Sequence, residues 1–312
     1  MERSGVINIY KEAGYTSHDV VAKLRGILKQ KKIGHTGTLD PQAQGVLPVC
    51  LGKGTKLCDL LADHDKEYEA VLRLGITTDT QDMEGTILKE LSVQVSEEEV
   101  RTCILSFQGE QMQVPPMYSA LKVNGKKLCD LARAGVTVER QARPVQLYSI
   151  EIIKMELPRV CMRVRCSKGT YIRTLCQDIG EKLSCGACME SLLRTKVSEF
   201  CVQDALRLSE IEERVQKAAG QTPSEQWNAE MFDFIYAVDS VFLQYKKAVI
   251  CKEWNKLLYN GNRMKKDMFV SYQKDWEQQK VRIYDEEGRF IGIYEYSEIH
   301  GDYKPVKLFM EA

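Results

Sequence analysis

The sequence predicts a mixed α/β (α+β) chain in two parts, a large domain over residues 1–243 and a small β-barrel over residues 244–312. Three observations carry this reading. Within residues 1–243, segments of helical period, such as Ile172, Leu175, Cys176, Ile179 and Leu183, are interspersed with segments of strict alternation, such as Tyr68, Ala70, Leu72 and Leu74. Beyond Leu243, several short strand-like runs joined by turns such as DEEGR fill fewer than a hundred residues, the pattern of a small barrel. The length of 312 residues suits one large core together with a smaller one.

Taken in order, Thr16 or Ser17 caps a helix that runs to about Lys29, because Val20, Val21, Leu24, Ile27 and Leu28 share one face. That helix delivers the glycine-rich segment IGHTGTLDPQAQGVLPVCLGKGTK at 33–56. Residues 67–75 read as a half-buried strand, followed by the polar turn TTDTQDMEG. Ser96 and Glu99 form a capping box ahead of a helix bearing Val100, Ile104 and Phe107. QVPPMYSALKVNGKK reads as an extended loop, and residues 116–144, rich in Lys, Arg and Gly and poorly periodic, as a mobile insertion able to close over a ligand. Strands follow at about 145–154 and 159–167. The second sets Val160, Met162, Val164 and Cys166 on a core face and Arg159, Arg163 and Arg165 on a cationic one. The striped helix spans about 171–183, and Ser209 with Glu212 makes a capping box for another near the end of the large domain. A polar stretch at 218–230 precedes the junction. The tail carries a short helix at 254–258 and strands near 268–272, 280–285, 290–295 and 304–309.

Hydrophobic residues at 44% and charged residues at 28% are values of a globular chain. No apolar run reaches membrane-spanning length, and the start MERSGVINIYKEAG carries neither a secretory nor a twin-arginine pattern, so the cytoplasm is expected. Eleven cysteines then read as reduced thiols. Cys185 and Cys188 form a CxxC with no second pair or nearby His, so no metal is expected. A formal net charge of +0 excludes a broad basic coat and leaves local patches as the route to nucleic acid. Candidates are Lys29, Lys31 and Lys32, then Lys122, Lys126 and Lys127, and the arginine face of 159–165.

Asp40 is the candidate reactive group. Gly34, Gly37 and Gly45 surround it and Pro41 fixes the chain immediately after it, giving a rigid loop around one carboxylate. A carboxylate nucleophile needs a fixed cation that keeps it ionised, and Arg173, in SKGTYIRTL, is the best candidate. By pattern alone Asp40 is equally a turn residue, Arg173 a surface ion pair, and Tyr68 and Leu192 core residues.

The run GHTGTLDP, with GVLPVCLGKGTK after it, resembles the signature of the TruB family of tRNA pseudouridine synthases. Similarity extends through KEAGYTSHDVVAKLR, DKEYEAVLRLGITTDTQDMEG, VPPMYSALKVNGKK, SKGTYIRTL and ESLLRT, and more weakly into NGNRM and VRIYDEEGRFIGIYE, which resemble a PUA RNA-binding domain. The resemblance implies a catalytic domain around a mainly antiparallel sheet, with the basic insertion at about 116–144, and a PUA-like barrel. It places the catalytic aspartate on Asp40, its arginine on Arg173 and a base-stacking tyrosine on Tyr68. For the substrate it implies His35 as a wedge in the RNA fold, Lys56 as a phosphate or loop contact, and Tyr171 and Leu192 as pocket walls. The implied reaction converts uridine-55 in the T-loop of tRNA to pseudouridine with no cofactor and no guide RNA; no metal and no membrane are expected from the residues, and a monomer is the default. Departures are KEAG for the family's KPxG, and Gln42 and Gln44 where Leu and Thr are frequent. The alternative is a tRNA-binding or folding chaperone whose Asp40 loop is structural; a guide-dependent relative and a metal-dependent hydrolase fit less well.

Overall fold

The structure, a computed structural model, describes residues 3–220 and 222–310. Strand β1 (Gly5–Lys11) is buried along almost its whole length and lies at one edge of the main sheet. Helix α1 (Ser17–Leu28) follows, capped by Thr16. The Thr16 hydroxyl accepts the Asp19 N–H while the Asp19 carboxylate accepts the Thr16 N–H, closing a capping box. Lys29 ends the helix in the left-handed conformation at φ 51°. Strands β2 (Ile33–His35) and β3 (Gln44–Leu51) pair antiparallel and leave residues 36–43 as the loop that carries Asp40. A 3-10 turn leads to α2 (Cys58–Ala62) and then to β4 (Lys66–Leu74), whose alternating burial matches its alternating sequence. A separate ribbon of β5 (Ile76–Thr78) and β6 (Ile87–Glu90) precedes α3 (Glu97–Leu105), which is capped by Ser96 and Glu99 as expected.

Strand β7 (Gly109–Gln113) leads into the insertion. There β8 (Lys122–Val123), β9 (Lys126–Lys127) and α4 (Leu128–Arg133) make a hairpin and a single short helix. Strands β10 (Arg143–Glu156) and β11 (Arg159–Cys166) pair antiparallel, α5 (Ile172–Lys182) follows, and β12 (Ala187–Val197), β13 (Phe200–Cys201) and α6 (Leu208–Ala219) finish this part of the chain. The main sheet runs β1-β3-β12-β4-β11-β10-β7, with β2 attached to β3 and β13 to β12. Every pairing is antiparallel except β3 with β12. One hydrophobic cluster joins β4 and β11 to α3 and α5 through residues such as Leu72, Val160, Ile104 and Ile179; a second joins β1 and β3 to α1 and α6 through Ile9, Leu47, Leu24 and Ile211.

Beyond it, β14 (Lys246–Val249), α7 (Asn255–Tyr259), β15 (Lys280–Tyr284), β16 (Phe290–Ser297) and β17 (Asp302–Leu308) form the expected small β unit, a four-stranded sheet in that strand order. Its own core is aromatic, with Trp276, Tyr294 and Tyr303 buried. A shared cluster of Val46, Leu57, Phe242, Ile293 and Phe309 seats it against β3.

Four expectations change. Residues 268–272 make no strand: Phe269 contributes a single bridge to Ile250 and is held by the rings of Tyr303 and Trp276, while β14, parallel to β15, takes the place in the sheet. The last capping box lies at Arg207, whose N–H donates to Glu210 Oε2 at 2.7 Å, because buried Leu208 anchors the helix start before Ser209. The face of Arg159, Arg163 and Arg165 is not free cationic surface. Cross-strand carboxylates neutralise it, with Glu190 at 2.9 Å, Glu69 at 2.7 Å, Glu151 at 2.8 Å and Asp65 at 3.8 Å. The insertion contains regular structure, because Leu128 is buried and anchors α4 beside the hairpin.

Gly45 sits at φ +103°, and a Cβ there would lie 2.2 Å from the Arg194 carbonyl oxygen. This close approach is what the parallel pairing of β3 with β12 requires, where Arg194 stands opposite Gly45. Gly45→Ala therefore lowers stability by about 3 kcal/mol in urea unfolding; a loss under about 0.5 kcal/mol would show that the contact relaxes freely.

Candidate active site

The loop at 36–43 is irregular, so its backbone groups need partners that no strand supplies. The Thr36 N–H donates to the Pro48 carbonyl, the Leu39 N–H to Ser17 Oγ at 3.0 Å, and the Ala43 N–H to the Asp40 carbonyl at 3.1 Å. The Gly14 N–H reaches the Pro41 carbonyl, and the buried Lys11 ammonium donates to the carbonyls of Pro41 at 2.9 Å and Ala43 at 2.6 Å. Leu39 and Ala43 are buried in the same cluster as Tyr68. Asp40 is thus fixed through its backbone on both sides.

Its side chain meets Arg173 in the first turn of α5. The guanidinium, only 5% exposed, sits with Nε 2.9 Å from Asp40 Oδ2 and donates from Nη2 to Oδ1 at 3.1 Å. This two-point contact fixes the carboxylate plane as well as its charge. The remaining N–H groups donate to the carbonyls of Thr80 at 3.0 Å and Tyr118 at 2.7 Å, and Asp82 lies 3.7 Å from Nη1. Asp82 is 15% exposed and Asp40 35%, so Asp40 is the carboxylate open to a reactant. Tyr171, the residue before α5, exchanges two backbone hydrogen bonds with the Gln113 side chain at the end of β7, at 2.7 Å and 2.9 Å.

The electrostatics differ from the sequence expectation. Arg173 pulls the Asp40 carboxyl down, assisted by Lys11, but burial outweighs both and Asp82 adds to it, so the net displacement is upward from 3.8. Asp82, on the same guanidinium, opposes the ionisation of Asp40 by like-charge repulsion. Burial brings the Lys11 ammonium down to about 8, with Asp40 opposing. It also pushes the phenol of Tyr68 up, against the nearby Arg194.

The other expected residues fall in two groups. Leu192 on β12 stands opposite Ala70 of β4 and is buried in the cluster that also holds Tyr68, Leu39 and Ala43. His35 ends β2 before the loop, its ring edge-on to His18 at 5.2 Å and its pKa lowered by burial first and then by His18 and Arg194. Lys56 stands apart. Its ammonium donates to the carbonyls of Leu308 at 2.9 Å and Met310 at 3.1 Å, tying the 3-10 turn after β3 to the C-terminal segment. Among the described residues, no cluster of three or more His, Cys, Asp and Glu has the form of a metal site, and no helix is long and apolar enough to cross a membrane. The CxxC cysteines are both buried thiols.

Residues not singled out in the sequence complete the site. Lys11, Asp82 and Arg194 lie in KEAG, TTDTQD and ESLLRT, segments already noted for their resemblance, but a charged residue in such a segment gives no sign of pointing inward. Arg194 is 2% exposed and donates from Nε to the Val46 carbonyl at 2.7 Å.

Residues 25–172 match the family model described as TruB family pseudouridylate synthase (N terminal domain), and residues 173–243 that of the tRNA pseudouridylate synthase B C-terminal domain. This chain belongs to the TruB family. It is 52% identical to the tRNA pseudouridine synthase B of Lachnoclostridium phytofermentans, over 98% of this chain and 100% of the relative. Identity to the enzyme of the same name from Clostridium kluyveri is 42%, over 98% of this chain and 99% of the relative. Among solved structures, a Cbf5-Nop10-Gar1 complex contains a chain similar at a TM-score of 0.72 and 26% identity, covering 98% of this chain and 85% of that one. Asp40 and Tyr68 lie within the first TruB match, and Arg173 opens the second.

A ¹³C-detected titration, assigned by difference from Asp40→Asn, places the Asp40 midpoint above 3.8. The carboxylate form is then lost as pH falls through that raised value, and any step needing ionised Asp40 weakens in the same window. A midpoint below 3.8 would mean that the Arg173 field dominates burial.

Proposed function

We propose that this chain is a tRNA pseudouridine synthase that converts uridine-55 of the T-loop to pseudouridine. The observation that carries the reading is a partly exposed carboxylate, Asp40, clamped at two points by the buried Arg173, in a loop whose Leu39 and Ala43 pack in one cluster with Tyr68. That is the equipment for work on a base taken out of its stack. Tyr68 holds the uracil by its π-face, and Tyr171 and Leu192 wall the pocket. His35 fills the space the base leaves.

Asp40 acts on the ribose and the N1–C1′ bond breaks. The uracil turns so that C5 meets C1′, a C5–C1′ bond forms, C5 gives up its proton and N1 ends carrying one. Nothing is oxidised or reduced and no atom is gained, so the balance requires no cofactor and no metal. Arg173 keeps Asp40 oriented and offsets its burial.

Lys122, Lys126 and Lys127 are exposed on the insertion, with no carboxylate in ion-pair range among the described residues. Because the Tyr118 carbonyl of the same insertion receives a hydrogen bond from Arg173, T-arm phosphates held there would lie against the site. Lys56 takes the role of an internal loop contact. In this reading the chain works as a monomer in the cytoplasm on tRNA without a guide RNA, residues 1–243 forming the catalytic domain and 244–312 the PUA-like RNA-binding domain.

Release of tritium from tRNA bearing [5-³H]uridine, without added metal or cofactor, tests the reaction. Wild-type protein releases tritium from the T-loop position, and Asp40→Asn loses at least about 1,000-fold in single-turnover rate while tRNA affinity stays within about tenfold. Tight binding with no release from the wild type would favour a tRNA-folding role instead. Arg173→Lys, which keeps a charge but loses the fork, slows the same step by at least about 100-fold; an unaffected rate would remove Arg173 from the proposed mechanism.

A further inference from the structure

The first turn of α5 grips three consecutive residues of the β5–β6 connection. Arg173 donates to the Thr80 carbonyl, the buried Thr174 hydroxyl donates to Gln81 Oε1 at 2.9 Å, and Arg173 faces the Asp82 carboxylate. Gln81 stands at φ 66°, left-handed for a residue with a side chain, which costs about 1 kcal/mol or more and persists only where neighbours fix it. The neighbours are visible. The β12–β4 register shifts between Met189 and Ser191, and Met189, still opposite Leu72 of β4, also pairs its backbone with the connection, its N–H donating to the Gln81 carbonyl at 2.9 Å while its carbonyl accepts from the Met83 N–H at 3.2 Å. The Thr80 hydroxyl and the Glu84 N–H then hold Asp82 Oδ1 at 2.5 Å and 3.1 Å.

We infer that Thr174 and Gln81 are positioning residues: they set Asp82 against Arg173, and through that shared guanidinium they fix how Asp40 is held. The inference rests on the proposed function of the site. Asp40 is faced by Arg173 and Tyr171 at the start of α5, Lys11 of β1, Tyr68 of β4 and Asp82; Asp82 is faced by Arg173 and by the Cys188 thiol of β12. Thr174→Val alters none of these charges, so any change in pH dependence comes from their placement.

Single-turnover tritium release across pH, with tRNA affinity measured alongside, tests this. Thr174→Val slows release about tenfold with affinity within about twofold, and its acid limb moves to lower pH because Asp82 no longer raises Asp40. Thr174→Ser restores both rate and limb. If Thr174→Val fails to fold by circular dichroism, Gln81→Met removes the same hydrogen bond from the loop side and gives the same shift. An unmoved acid limb in a folded variant, or a rate loss matched by lost affinity, overturns the inference. Wild-type protein that releases no tritium would instead overturn the reading of the site itself.

Discussion

The Arg173 guanidinium is the constraint around which the site is arranged. It is buried, its charge is divided between Asp40 and Asp82, and its remaining donors reach the carbonyls of Thr80 and Tyr118. A cation taken out of water at this depth is tolerated only with its hydrogen bonds and charge both answered. Each answer comes from a different part of the chain: the Asp40 loop, the β5–β6 connection and the insertion. One side chain therefore requires three separate segments to meet at the start of α5, and their meeting is the site.

Two further buried cations work differently. Lys11 and Arg194 have no carboxylate in ion-pair range among the described residues: Lys11 donates to the carbonyls of Pro41 and Ala43 after Asp40, and Arg194 to the Val46 carbonyl of β3 and, at 3.5 Å, to the Gly37 carbonyl before Asp40. The loop is irregular, so its carbonyls lack strand partners, and a long cationic side chain from a neighbouring strand satisfies several at once. Burial of these groups is costly, yet it produces a loop fixed by its surroundings. Asp40 is held in a set orientation while its side chain stays open to a reactant. The same burial raises the Asp40 carboxyl, so orientation is gained against ease of ionisation.

Much of the local structure was legible. The α1, α3 and α5 stripes and the alternation in β4 and β11 have clear periods, and Thr16 and the Ser96–Glu99 pair signal their helix starts. Strands β1 and β3 escaped notice because they are buried nearly throughout, and an apolar run without alternation carries no period to read; β12 escaped because its buried Arg194 and Thr195 break the alternation that would mark a strand. The alternation of arginines on β11 was real, but its meaning was not local. Glu69, Glu151 and Glu190 come from strands β4, β10 and β12, and only sheet register places them opposite.

The sequence by itself determined which chemistry is present: one aspartate bracketed by glycines and proline, an arginine at a helix start, and the motifs that mark the family. Those are matters of residue type and short spacing, which a linear chain states directly. Tertiary structure decided the rest, namely that Asp82 shares Arg173, that Lys11 and Arg194 turn inward, that Lys56 is tied to the C-terminal segment, and that Asp40 is pushed up rather than down. Each depends on burial and on the distance between charges remote in sequence, and both exist only once the sheet has brought β1, β4, β12 and the start of α5 together.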